Sequence, residues 1–183
     1  MPHERTARYR EAIIGFPPCE DLYLARRKVV AITDRYPGIV YSPVGTTGNF
    51  EGAILRALPG VAFPDGIVGT ERTLTDGETL IVRGSFRLIK RTRSGDQMPE
   101  PEEAMQEWIA TLTSGGFLVD AENTVMAEDS MSFFYPDQDR NITLPFWMVI
   151  SKLIVADAGK AAATMVRGVG HNTWLGFGMM VLA

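Results

Sequence analysis

From about residue 79 onward the chain alternates strand and helix patterns in one order, and that order limits the fold more than any other feature. Residues 80–90 (LIVRGSFRLIK) read as a long strand with basic residues interleaved. Pro101 can open a helix over 102–113, because proline at the first helical position gives up no needed N–H. Ser114-Gly115-Gly116 ends it. Residues 117–125 read as a strand, and 141–155, the most apolar stretch, as a long strand or two joined strands. Asp157 can cap a helix to Arg167, and a terminal strand runs to Leu182.

The first half gives a shorter version of the same order. A strand over 9–16 should be ended by Pro17-Pro18. Glu20 or Asp21 can cap a helix running to about Arg35, stopped by Tyr36-Pro37-Gly38. A strand over 38–44 follows. Residues 50–58 are ambiguous between helix and strand, leaving at most a weak second helix, and 67–74 read as a short strand. The order β-α-β-β-α-β is the ferredoxin-like one. The expected fold is therefore α+β, with tandem ferredoxin-like (RRM-like) domains over 1–78 and 79–183. The turn Thr75-Asp76-Gly77-Glu78 marks the boundary, and the C-terminal domain carries a Gly-rich loop.

A length of 183 residues suits one ordinary domain or two small ones. With 45% apolar and 22% charged residues, neither a disordered tail nor a coiled coil fits. Cys19 is the only cysteine, which excludes an intrachain disulfide and a Cys-rich metal site. No metal or cofactor is expected. No apolar run approaches the length of a membrane span, and MPHERTARYRE is too polar for a signal peptide. The expectation is a cytoplasmic protein with no membrane partner.

Charge is segregated. Residues 96–139 hold eleven acidic side chains and no Lys or Arg, while outside that block 18 basic residues face eleven acidic ones. Arg83, Arg87, Lys90, Arg91 and Arg93 fall in a stretch without acids. Polyanion binding depends on such local surfaces rather than on the net charge of −4. Lys90, Arg91 and Arg93 are the best candidates for phosphate contacts, with a solvated hairpin tip as the plain alternative. Arg26, Arg27, Lys28 and Arg35 lie on or near the first helix. The acidic block suits a solvated outer face, or one that meets a basic partner.

The sharpest local pattern is the C-terminal run from Arg167 to Leu182, RGVGHNTWLGFGMMVL. Gly168 and Gly170 follow a helix, and Gly176 and Gly178 alternate in what reads as a strand with one bare backbone face. A dinucleotide fingerprint would follow a strand and open a helix, the reverse of this context.

This run resembles the C-terminal signature of the RAMP superfamily of CRISPR-associated proteins, and is most similar to that of the CasE-type endoribonucleases that cut CRISPR repeat RNA. Asp21-Leu22-Tyr23 resembles the D-h-Y of that family, and Ser85-Phe86-Arg87-Leu88 resembles its F-R-L strand. Gln106-Glu107-Trp108 is similar to its second-domain helix. The resemblance implies a protein that binds a repeat hairpin and cleaves it on the 3′ side of the stem without a metal. A ribose 2′-OH would attack the adjacent phosphate. The product would stay bound among other subunits of a CRISPR effector complex. Implied RNA contacts are Arg27, Lys28, Arg35, Lys90, Arg91, Arg93, Arg167, Gly168, Gly170, Asn172, Gly176 and Gly178, with Tyr23, Arg26 and His171 at the reacting centre.

One departure matters. The family carries Y-x-x-H, whereas here the motif is Tyr23-Leu24-Ala25-Arg26. An arginine is too basic to move protons near neutrality but clamps phosphate well. His171, in the Gly-rich loop, has the chemistry for proton transfer. Three readings stay open: His171 carries acid–base work with Tyr23 orienting the 2′-OH and Arg26 holding the phosphate; cleavage is slow and driven by position and charge; or the protein binds RNA without cutting, as a non-catalytic RAMP subunit. A ferredoxin-like small-molecule binding or oligomerising protein is the alternative outside nucleic acids.

Overall fold

The computed structural model describes residues 5–46, 49–92, 95–170 and 177–183. Two four-stranded antiparallel sheets carry three helices. The first sheet comprises β1 (Thr6–Cys19), β2 (Val40–Thr46), β3 (Asn49–Ala57) and β4 (Thr70–Thr75), with α1 (Leu22–Thr33) between β1 and β2. Its order is β2-β3-β1-β4. The second comprises β5 (Thr79–Phe86), β8 (Phe117–Tyr135), β9 (Arg140–Val155) and β10 (Val181–Leu182) in the order β10-β5-β9-β8. A ribbon of β6 (Lys90–Thr92) and β7 (Gly95–Gln97) and the helix α2 (Pro101–Ser114) lie between β5 and β8, and α3 (Ala158–Arg167) follows β9. Counted within its half, each sheet has its fourth, first, third and second strands side by side, the tandem ferredoxin-like arrangement.

Several expectations need correcting. Pro17 and Pro18 do not end β1. The pairing of β1 with β3 skips between Gly15 and Cys19, so the two prolines sit in a bulge where no ladder N–H is needed. Residues 50–58 form β3 and not a helix. No helix lies between β3 and β4. Ala53, Leu55 and Ala57 of β3 pack toward α1, while Ile54 and Arg56 are buried on the other face. A strand buried on both faces loses the period-two signal. The long strand over 80–90 breaks at Phe86, and Lys90 belongs to the separate β6–β7 ribbon. Gly178 is not in a strand: it turns at φ +86°, and β10 begins only at Val181. Strand β8 is far longer than 117–125, and with β9 it makes a hairpin arm paired as far as Tyr135 and Arg140.

The largest core cluster joins both halves. Tyr9 and Leu74 of the first sheet pack with Trp108, Trp147, Leu153, Met165 and others of the second half. Helix α3 sits at this junction, where buried Ala161 and Ala162 let the backbones approach closely. Its start is held by the Asp157 cap to Lys160 N (3.0 Å) and by Asp76 Oδ1, which accepts from Ala158 N at 2.8 Å. Beyond it lies a buried charge. Arg56 of β3, fully inaccessible, donates from Nε to Glu11 Oε2 at 2.7 Å. Its Nη1 donates to the carbonyls of Met165 (3.0 Å) and Met180.

Candidate nucleic-acid interface

Asp21 creates the site locally. Its extended backbone caps α1, and its Oδ1 accepts from Tyr23 N (2.7 Å) and Leu24 N (3.1 Å). Its other oxygen accepts from Phe134 N at 3.0 Å, near the far end of β8. One carboxylate therefore starts the helix of the first half and fastens it to the hairpin arm of the second. Below it Leu22, Ala25, Phe50, Phe133, Phe146 and Phe177 form a common apolar cluster.

The capped turn holds Tyr23, half-buried, against Tyr135. Their rings are 5.4 Å apart and meet edge-on at 80°. Three residues later, on the same helix face, the Arg26 guanidinium lies 5.9 Å from the Tyr23 ring centroid. Arg26 also hydrogen-bonds the phenol of Tyr41 on β2. Burial pushes the Tyr41 phenol above its ordinary pKa, while the neighbouring Arg26 charge and hydrogen bond pull it back.

Tyr23 and Arg26 are therefore brought together. Lys28 follows, partly engaged: it donates to the Pro17 carbonyl and lies 5.4 Å from the Phe16 ring centroid. Arg27 is exposed. Arg35 is exposed too, but α1 stops at Thr33, so it sits past the far end, about 15 Å along the axis from Tyr23. Lys90 pairs with Glu103 of α2 at 3.0 Å. Arg91 pairs through its backbone with Asp96, and its side chain lies outside what is described. Arg93, His171, Asn172 and Gly176 lie outside the described residues.

The flanks of the Gly-rich loop are described, and they are close-packed. Arg167 is exposed at the end of α3, and Gly168 N closes the helix on Thr164 O at 2.9 Å. Val169 N donates to Gly178 O (2.8 Å), and Gly178 N to Ser85 O (2.6 Å). A Cβ on Gly178 would run into the Val169 carbonyl, and one on Gly170 would lie 2.8 Å from the Arg87 carbonyl. These glycines are spacers between backbones: Gly170 stands over the Arg87 carbonyl, and Phe177 belongs to the cluster under Tyr23. Half-buried Arg87 has no hydrogen-bond partner for its buried Nε among the described residues.

Sequence reading missed Tyr41, Tyr135 and the place of Arg87. Tyr41 sat inside a predicted strand with nothing to mark its partner, and Tyr135 lay beyond the predicted end of the 117–125 strand. Arg87 was visible only as part of the F-R-L match. Among the described residues no group of three or more His, Cys, Asp or Glu side chains could hold a metal ion. No described helix is long and apolar enough to cross a membrane.

No protein-family description matches the sequence, and no curated protein sequence matches it. Solved structures do. Cse3 of Thermus thermophilus, bound to an RNA representing a pre-cleavage complex, superposes with a TM-score of 0.70 at 16% identity, covering 97% of this chain and 99% of that one. The CRISPR-associated protein Cas6e of Escherichia coli K-12 gives 0.61 at 15% identity, over 96% and 98%. A chain of a CRISPR RNA-guided surveillance complex gives 0.62 at 13% identity, over 96% and 98%. Over nearly its whole length, the chain has the tandem ferredoxin-like fold of the Cse3 and Cas6e proteins.

Proposed function

We propose that this protein is a metal-independent endoribonuclease of the CasE-like kind, acting in the cytoplasm. It binds the hairpin of CRISPR repeat RNA, cleaves it 3′ of the stem and stays with the guide RNA as a subunit of an effector complex. The two ferredoxin-like domains divide between Glu78 and Thr79. The observation that carries the reading is the Tyr23–Arg26 pair at a capped helix start, anchored by Asp21 to the opposite sheet. Its full-length likeness to an RNA-bound Cse3 supports it.

The chemistry follows from the residue types. The 2′-OH of one nucleotide attacks the adjacent phosphorus, the P–O5′ bond breaks, and the products end in a 2′,3′-cyclic phosphate and a 5′-OH. The Tyr23 phenol can hold the 2′-OH by a hydrogen bond. The Arg26 guanidinium offsets charge gathering on the phosphorane oxygens. His171 takes the 2′ proton or returns one to the leaving oxygen. The exposed Arg27 and Arg167, with Lys28, Lys90, Arg91 and Arg93, contact phosphates along the stem. Gly168, Gly170, Asn172, Gly176 and Gly178 add further RNA contacts.

A second reading rests on Arg26 itself. With arginine where a proton-transferring group would stand, the protein could hold guide RNA without cutting it. Labelled repeat RNA incubated with the protein and EDTA separates the two. One product with a cyclic phosphate end supports the nuclease, and retention without product supports the holder. Absence of binding even at low salt, where phosphate contacts are strongest, removes both.

A further inference from the structure

Neither Tyr23 nor Arg26 stands free. From the second sheet, Tyr135 meets Tyr23 edge-on at 5.4 Å. From the first, Tyr41 hydrogen-bonds Arg26. The guanidinium itself lies 5.9 Å from the Tyr23 centroid. Tyr135, Tyr23, Arg26 and Tyr41 thus run in series from one sheet to the other across the start of α1. The backbone repeats the link one residue away, where Asp21 accepts from Phe134 N at 3.0 Å.

We infer that Tyr41 and Tyr135 are positioning residues that close a bracket on the Tyr23–Arg26 pair and fix both for an RNA phosphate. The inference rests on the nuclease reading and adds two residues to it. The physical reason lies in Arg26. A guanidinium has no proton to give near neutrality, so it acts only through where it stands. Arginine has many rotamers, and a hydrogen bond to a half-buried phenol selects among them. Displacement of a positioned group by about 1 Å can cost about a hundredfold in rate. Edge-on ring packing restrains the Tyr23 ring in the same way, because it depends on ring orientation and not on area alone.

Two measurements test it. With 3-fluorotyrosine placed at position 23, the fluorine resonance should move in Tyr135→Leu and largely return in Tyr135→Phe, which restores a ring. In Tyr41→Phe the Arg26 guanidinium protons should exchange faster. With repeat RNA in EDTA, Tyr135→Leu and Tyr41→Phe should each lower kcat about tenfold, with KM changed less than about twofold. Tyr135→Phe should recover most of the lost rate, and Tyr135→Leu should add nothing to Tyr23→Phe. A rise in KM at constant kcat would make these tyrosines RNA contacts and overturn the inference. So would an unmoved fluorine signal in Tyr135→Leu together with unchanged Arg26 exchange in Tyr41→Phe. Wild-type protein that binds without cutting would end the nuclease reading, while the fluorine and exchange data would still decide whether the bracket exists.

Discussion

In the second half, α2 and α3 share the core on one side of the sheet, and the other side exposes Ile81, Met148 and Ile150. The first half winds its strands in the same order but is covered on one side and partly on the other, where Ile13 stays exposed. Helix α1 packs on Ala12, Ile14, Ala53 and Leu55, and α3, from the other half, reaches Tyr9, β1 and β4. The missing second helix of the first half is replaced on the α1 side by the 58–69 segment, whose Phe63 joins that cluster, while α3 of the other half packs on the opposite side. Such a half has no complete core of its own, and its second face is finished only by residues a hundred positions later in the sequence.

That contrast can be broken most directly by separating the halves. Residues 1–78 alone should not unfold cooperatively, because Tyr9, Ile54, Arg56 and Leu74 would face water. Urea unfolding followed by circular dichroism checks this, and a sharp transition would show that α3 is dispensable. The next effect belongs to Arg56. In Arg56→Ala, Glu11 loses its buried partner and the Met165 and Met180 carbonyls lose a donor. Breaking a buried pair costs about 3–5 kcal/mol, read as a fall in the urea midpoint. In Arg56→Met, which fills much of the space, the loss should be smaller. Overpacking the shared helix comes third. Ala161→Leu should cost about 1–3 kcal/mol, since Ala161 is wholly buried between the halves.

The same contrast explains what could be read in advance. The second half was legible because α2 buries one stripe, Ala104, Trp108 and Leu112, and α3 announced its cap with Asp157. In the first half the Asp21 cap and the stripe Leu22, Ala25, Val29 were also legible. What escaped was set by the other half. β3 is apolar on both faces because Met179 and Met180 near the C-terminus stand behind it, and Arg56, charged yet central, makes sense only beside Met165 and Met180. Tyr23 and Arg26 could be chosen from the resemblance of Tyr23-Leu24-Ala25-Arg26 to the family's Y-x-x-H, but Tyr41 and Tyr135 could not, since their contacts join segments far apart in the chain.

Asp21 sharpens the comparison at the place where helix and hairpin arm meet. Asp21→Ala removes the α1 cap, worth about 1 kcal/mol, and also the acceptor for Phe134 N. Asp21→Ser can cap the helix but is too short to reach both partners, so the difference between Asp21→Ser and the wild type isolates the link to β8. Equal stability of Asp21→Ser and the wild type would mean that the link adds nothing.

The smallest effect separates the two sheets by their irregularities. The bulge of β1 between Gly15 and Cys19 accommodates prolines, and its Pro17 carbonyl accepts from the Lys28 ammonium. That of β8 between Asp120 and Thr124 is closed by a carboxylate. Asn123 donates its amide to Asp120 Oδ2 at 2.9 Å, and Lys152 stands 3.1 Å from the same oxygen. Both hold the Asp120 carboxyl below its ordinary pKa, the Asn123 hydrogen bond most of all. A folded-state pKa below the unfolded one stabilises the fold above the unfolded value and loses that contribution as the pH falls through the folded one. The Asp120→Asn variant should therefore be slightly less stable than the wild type at pH 7. The gap should shrink below about pH 4 and be reduced by salt, as expected for an exposed carboxylate. Urea midpoints at pH 7 and pH 3 measure it. A gap that persists at the lower pH would assign the effect to the geometry of the bulge and not to its charge.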